Sequence, residues 1–375
     1  MSGTTSPAAT AGPGDGRRGW DRPTGDLPTW RLSRDGVGTV AWLELRRLMR
    51  ARRWVVAWAV WTTLVTGLSG LIVLAATTLG GRVDEEVGTT LFGVVVLVVL
   101  SFGLLVAPGL AATSVNGDSR DGTLATLQAT LLSPAELAVG RLLAAWCGTL
   151  ALVAGGLPSI GIAFALGGTS LLRLLVIVLL VAVSLAVVTA TGLGLSAVLA
   201  RPVASIVVAY VVTFCLAVVS PLLVPLSASL VTTTETVTVL EATEFDPDTG
   251  RPLGCEERQL TEEVMRTDWT WWLLVASPYV VVADAAPAQR PTVADADVLR
   301  GLGDVSRTAR LGPELERDWC TWGESPERAE EREALGPVWP YGVVFYLLLV
   351  AGSLYLVVRR LRTPVRRLGH GQRIA

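Results

Sequence analysis

Apolar residues occupy six uninterrupted runs, at 54–79, 89–113, 142–166, 174–200, 203–226 and 338–358, and none of these contains Asp, Glu, Lys, Arg or His. A bilayer core about 30 Å thick is crossed by roughly 20 helical residues at about 1.5 Å each, so every run is long enough to span it. The pattern predicts an all-α integral membrane protein with six transmembrane helices. Between the runs it divides the chain into a tail at 1–34, a membrane domain at 35–230 carrying the first five helices, and a large segment at 231–336 between helices five and six. The sixth helix, at 337–362, and a basic tail, at 363–375, follow.

Shorter patterns fill the gaps. The stretch WTWWLLVASPYVVVADA at 269–285 is apolar for only about fifteen residues and carries Pro278 near its middle, which suits a re-entrant or interfacial helix better than a seventh crossing. Trp269, Trp271 and Trp272 at one end suit a headgroup anchor, and a buried hairpin of the 231–336 segment is the alternative. Before the first run, AWLELRRLMRARRW alternates Trp42, Leu45, Leu48 and Met49 with Glu44, Arg46, Arg47 and Arg50, the pattern of an amphipathic helix lying in the membrane surface with its arginines toward lipid headgroups.

The most varied chemistry lies between the second and third runs, in GDSRDGTLATLQATLLSPAELAVGR at 117–141. Leu124, Leu127 and Leu131 recur at helical spacing and give a short helix one apolar stripe after the turn at Gly122. Ser133, Pro134 and Glu136 then supply an N-cap, a proline at the first helical position and the closing glutamate of a capping box, which starts a helix running into the third span. The short helix either lies on the membrane or offers its ridge to a groove on a soluble partner.

Composition agrees with a membrane protein: 51% of the 375 residues are hydrophobic and 17% charged. The tail at 1–34 is rich in Gly, Pro, Ser and Thr, lacks the early apolar region of a secretory signal, and reads as disordered. Arginine sets the orientation. Arg46, Arg47, Arg50, Arg52 and Arg53 precede the first span, Arg120, Arg141 and Arg201 lie in even-numbered loops, and Arg359, Arg360, Arg362, Arg366, Arg367 and Arg373 follow the sixth, which puts both termini in the cytoplasm of a cell-membrane protein. The opposite loops are acidic, with Asp84, Glu85 and Glu86 in the first and about twenty-two acidic residues against ten arginines at 231–336. Arg173 falls at the outer end of the fourth span, where it is expected to snorkel to the interface. Cys147 and Cys215 fall within spans as packing residues. Cys255 and Cys320 lie in the outer segment, where an oxidising compartment permits a disulfide, although sequence does not show whether they approach.

Ionisable groups inside spans mark proton relays and ion paths, and their absence from the six runs argues against a proton-coupled transporter or a membrane enzyme. The sole histidine, His370, belongs to the tail. All 31 cations are arginine, so the chain cannot supply the lysine of a phosphate-binding GxxxxGK[ST] loop. The spans do carry small residues: Ala182, Ala186, Ala190 and Gly194 line one face of the fourth for close helix packing, and Gly155, Gly156, Pro158, Pro108, Pro221 and Pro225 allow kinks.

The chain resembles the permease subunits of type-2 ATP-binding-cassette transporters. These have six spans, an N-terminal amphipathic elbow helix, and a loop between spans two and three written approximately as E-R-x-x-G-T-L-E-x-L-x-x-T-P-x-S-x-x-E-x-x-x-G-K. Gly122, Thr123, Leu124, Leu127, Thr130, Ser133, Glu136 and Gly140 match it, while Asp118 stands for its glutamate, Leu131 for its proline and Arg141 for its lysine, and Ser119 falls where arginine is common. Glu44, Arg47 and Arg50 would belong to the elbow.

The resemblance implies that 123–132, with Asp118 and Arg120 at its entrance, is a coupling helix docking on a separate ATP-binding subunit. It further implies an exporter of an apolar or amphipathic compound, built with a second permease as a homo- or heterodimer in membrane lipid. ATP and magnesium would be bound by the partner; no cofactor, metal or nucleic acid would be bound by this chain, and no catalysis performed by it. The alternative from the residues alone is a membrane-anchored receptor or assembly scaffold whose large outer segment binds a ligand. With the native free cysteines replaced, Arg366→Cys should react with a membrane-impermeant maleimide only after cells are permeabilised; reaction in intact cells would overturn the six-crossing count.

Overall fold

The computed structural model describes residues 29–78, 84–112, 114, 132–167, 169–199, 201–245, 252–286, 297–318, 320 and 326–361. A first helix, α1 (Arg34–Met49), is followed by α2 (Arg52–Thr78) and α3 (Glu85–Ala111). The next long helix is α4 (Pro134–Val153) continued by α5 (Leu157–Ala165) across a 3-10 turn at Ala154–Gly156, and α6 (Leu171–Val198) follows it. The fifth is α7 (Pro202–Phe214) joined to α8 (Ser220–Leu226) through one π turn at Cys215–Val219. Strands β1 (Thr232–Phe245) and β2 (Pro252–Met265), α9 (Pro278–Asp284), α10 (Val298–Leu311), β3 (Glu316–Asp318) and α11 (Pro326–Leu335) precede α12 (Trp339–Leu361).

Among the described residues, six helices are long and apolar enough to cross a membrane: α2, α3, α4 with α5, α6, α7 with α8, and α12. They coincide with the six apolar runs. The third starts eight residues before its run, because Ser133 and Pro134 cap and open it in the polar sequence ahead. The kinks fall where backbone donors are missing or glycine weakens the helix, at Gly155 and Gly156 before Pro158 and at the π turn before Pro221.

The core is centred on α3 and α6. Leu91, Phe92, Val95 and Leu100 of α3 pack with Ile177, Val181, Leu185 and Val188 of α6, all buried. Small residues bring these helices to their neighbours. A Cβ on Gly194 would lie 3.0 Å from Cβ of Ser353 in α12, and one on Gly192 would lie 3.2 Å from Cβ of Ala111 in α3. Of the expected stripe, Ala190 is fully buried, and the backbone carbonyl of Ala182 accepts the Trp146 indole N–H at 2.8 Å, whereas Ala182 and Ala186 are partly buried. Gly192 was missed because the stripe was read at intervals of four, and it lies two residues off that row.

Two expectations are corrected. The protein is not all-α: β1 and β2 form an antiparallel hairpin with Val237 opposite Leu260, and β3 joins β1 in parallel to give the order β2-β1-β3. The segment TTTETVTVLEATEF has β-branched Thr or Val at seven of its first eight positions, a strand signal overshadowed by the apolar runs on either side. Cys255 of β2 and Cys320 just after β3 are joined as a disulfide with Cα atoms 6.2 Å apart.

Arg173 does not snorkel. It is 1% exposed, and its guanidinium grips Asp297 through NH1 to Oδ2 at 2.6 Å and NH2 to Oδ1 at 2.7 Å. An arginine in the first turn of α6 opposes the helix dipole, and the Asp297 carboxylate offsets it while also accepting the Leu299 and Arg300 N–H groups at the start of α10.

The segment between the fifth and sixth long helices is seated in the bundle as well as on it. Tyr279 OH meets Ser101 Oγ at 2.7 Å near the middle of α3, and Ser277 Oγ donates to the Ala217 carbonyl in the π turn at 3.3 Å. The helices α6 and α12 run parallel, with Val187 beside Tyr346 and Gly194 beside Ser353. This register puts Trp339 level with Leu180, so α12 begins about nine residues, roughly 13 Å, along from the start of α6. The short helix α9 fills that space. Its last residue, Asp284, is 2% exposed and accepts the N–H groups of Val338 and Trp339 at 2.6 and 2.8 Å, capping α12, while its other oxygen takes Arg307 Nε at 2.7 Å.

Arg173→Met should loosen the 252–320 segment by roughly 3–5 kcal/mol, because it leaves a buried carboxylate unpaired. Adding Asp297→Asn should recover part of that loss, since asparagine still caps α10 without the charge. Protease susceptibility of the segment in membranes reads both, and strictly additive losses would contradict the pairing.

Candidate functional site

The sequence motif converges on the start of the third long helix. Ser133 Oγ accepts the Glu136 N–H at 3.1 Å and a Glu136 carboxylate oxygen accepts the Ser133 N–H at 2.8 Å, so the capping box closes with Pro134 at the first helical position. The other Glu136 oxygen accepts the N–H of Ser33 at 2.8 Å. Ser33 is itself the N-cap of α1 and accepts the Gly36 N–H at 3.1 Å. One carboxylate thus serves the N-termini of two helices, where their partial positive charge favours it.

Further bonds tie the same joint. Ser133 Oγ donates to the Arg31 carbonyl and the Ala135 N–H to that of Thr29, so residues 29–33, expected as the end of a disordered tail, are bound to α4. Residues 1–28 lie outside the described residues. Close approach is built into the sequence. A Cβ on Gly36 would stand 2.9 Å from Cδ of Glu136, and one on Gly140 would stand 2.7 Å from Cβ of Val40. Ser133, Glu136 and Arg141 are 1%, 3% and 2% exposed.

Asp118, Arg120, Gly122, Thr123, Leu124, Leu127, Thr130 and Leu131 lie outside the described residues. Ser114 is the last described residue before them and Leu132 the first after them, and Leu132 packs on a cluster of Ala111, Ala138, Leu142, Ala197, Val357 and Leu361. The end of α3, the starts of α1 and α4, and the ends of α6 and α12 therefore meet at one end of the bundle. The opposite end holds the contact of Gly88 with Gly167 and the Arg173–Asp297 pair.

Along α1, Glu44 is half-buried while Arg47 and Arg50 are exposed. Arg46 lies over the Trp42 ring at 4.8 Å, and Trp42, Leu45, Arg46, Met49 and Arg50 border an open recess of about 420 Å³. At the far end, Arg266 is held above its ordinary value, first by its hydrogen bond to Asp268, and stays a fixed cation over Trp269. Ser33, Gly36 and Val40 were missed as site residues. Their signal was present, since S-R-D-G ahead of the apolar Val37 and Val40 is an N-cap followed by a helix, but it straddled the boundary drawn at residue 34, ahead of the stretch read as an amphipathic helix.

No family model matches the chain, and no curated protein matches it.

Glu136→Ala should lower the thermal stability of the membrane-embedded chain by roughly 1–3 kcal/mol, the cost of leaving a buried donor unsatisfied. It should also expose 29–34 to protease. Glu136→Gln should fall between, because a carboxamide keeps one acceptor for two donors; an unchanged melting temperature and cleavage pattern for Ala would contradict the shared cap.

Proposed function

We propose that the chain is the permease subunit of an ATP-binding-cassette exporter of the type-2 class. In this reading it sits in the cell membrane with both termini in the cytoplasm, pairs with a second permease, and draws its power from a separate ATP-binding subunit. The observation that carries the reading is the joint at Glu136. Residues returning from the 117–131 loop are bonded at Ser133 and Glu136 to both α1 and the third long helix, so a partner pressing on 123–132 would move α1, α3 and α4 together.

The energetics agree. Without lysine the chain has no lysine-bearing phosphate loop, and Glu136 and Arg173 sit in the first turns of their helices, not at mid-span, where a proton relay would need them. Long helices three and five contain breaks that let their halves tilt, which an alternating pathway requires. Cargo of apolar or amphipathic character suits walls of Leu, Val and Ala with few charges.

The receptor or scaffold reading draws on the hairpin, whose Glu241, Glu256, Glu257 and Glu263 are exposed beside the Cys255–Cys320 disulfide. The same experiment separates the two. A photoreactive phenylalanine analogue in place of Leu127 should capture one polypeptide that itself binds ATP. In the same cells, Leu127→Asp should weaken capture from neighbouring positions by at least about tenfold, because an aspartate cannot be buried cheaply in an apolar contact. Capture of lipid alone, or capture indifferent to Leu127→Asp, would contradict coupling.

A further inference from the structure

Hydroxyls inside the long helices of this protein usually bond back to their own helix. Ser69, Thr149, Thr189, Thr213 and Ser220 all donate to the carbonyl four residues earlier, at 2.6 to 3.0 Å. The seam between α2 and the break in the third long helix departs from that habit. Trp61 Nε1, Thr62 Oγ1, Thr66 Oγ1 and Ser159 Oγ are all buried there without a hydrogen-bond partner. Trp61 is 7% exposed and Ser159 fully enclosed. Ser184 and Ser205 are likewise unpartnered, but each stands on another helix.

The four groups fall within two neighbouring turns. A Cβ on Gly155 would fall 2.5 Å from Thr62 Oγ1, 2.8 Å from Trp61 Cδ1 and 3.5 Å from Trp58 Nε1, so the indoles and the hydroxyl crowd the backbone at the break. Thr62 lies against Gly155, and the first and third of consecutive crossings run in the same direction, so one turn further on Thr66 and Ser159 come level. In hydrocarbon an unsatisfied hydroxyl or indole N–H is costly, and four within two turns make the closed seam an unfavourable resting place.

The seam is also the one best built to part. The helix α2 is the least enclosed of the six, with 17% of its apolar window buried against 56% for α3 and for the third helix. Opposite it stands the 3-10 turn Ala154–Gly156, with two glycines and Pro158, where the third helix can bend without breaking regular bonds. A single stack of Trp61 on Phe102, with centroids 3.7 Å apart, pins α2 at this level.

We infer that the seam of Trp61, Thr62, Thr66 and Ser159 is a binding slot for the uncharged polar group, hydroxyl or carbonyl, of an amphiphile dissolved in the membrane. The slot opens when α2 moves off the Gly155–Pro158 hinge. Its donors and acceptors are all neutral, so a charged headgroup would find no counter-ion there, whereas a hydroxyl or carbonyl pairs with the indole N–H and the three hydroxyls in turn. An alkyl chain would lie along the exposed apolar face of α2 at Leu64, Leu68 and Leu71. Such a slot binds its amphiphile whether or not an ATPase drives the chain.

The test is photolabelling of the full chain in phosphatidylcholine nanodiscs with an alkyl diazirine alcohol and with its hydrocarbon analogue. Peptides containing Trp61–Thr66 and Gly155–Ser159 should be labelled about threefold or more above the hydrocarbon, the factor a single net hydrogen bond supplies. Thr62→Val with Ser159→Ala should remove that excess and leave labelling elsewhere unchanged; each single substitution serves where the pair does not insert. Equal labelling by the two probes, or an excess untouched by the substitutions, would overturn the slot, and neither result bears on whether an ATP-binding partner exists.

Discussion

A helix that crosses hydrocarbon must meet every polar demand from within the protein, and here the demand is met at helix ends by buried carboxylates. Glu136 serves the first turns of α1 and α4, Asp297 serves α10 and neutralises Arg173 of α6, and Asp284 caps α12 while holding Arg307. Each takes charge-assisted bonds from backbone N–H groups that would otherwise face a low dielectric. Each also joins two pieces of chain far apart in sequence. The bundle's apolar contacts are non-directional, so these joints decide which peripheral element sits on which helix end.

That division explains how much of the fold was legible. The six long helices could be read directly, because length and apolarity are properties of a run and need no partner. The capping box at Ser133 and Glu136 could be read for the same local reason. The second role of Glu136 could not, since it depends on Ser33 lying 103 residues away. Arg173 was misjudged for a like reason: snorkelling was the sensible expectation for an isolated arginine, and nothing nearby in sequence announces Asp297, 124 residues on. The hairpin left a clear run of β-branched Thr and Val, overlooked because the segment between spans was read for its charge, its cysteines and its apolar stretch at 269–285.

The proposed function rests on a narrower stretch of sequence. The loop motif and the elbow carry the family resemblance, and residues 117–131 that would touch a partner lie outside the described residues, so the resemblance rests on sequence and the joint behind the loop on structure. The two are compatible in a specific way. Gly140, a motif position with no evident chemistry, is where α1 crosses α4 at a distance no side chain would allow. This glycine and Glu136 hold α1 against α4, a role for motif positions that lie beyond the loop itself. The two ends of the bundle then differ in kind. One gathers α1 and the ends of four long helices, and the other anchors the mixed segment through Asp297 and Asp284.

The most direct measurement is subunit composition: the full chain, tagged and purified from its native membrane, analysed by mass and by ATP hydrolysis. The account predicts two copies of a nucleotide-hydrolysing subunit for every two permeases, both present in equal number, and ATP hydrolysis in the purified assembly. A chain that emerges reproducibly without such a subunit, and without ATP hydrolysis, would contradict it.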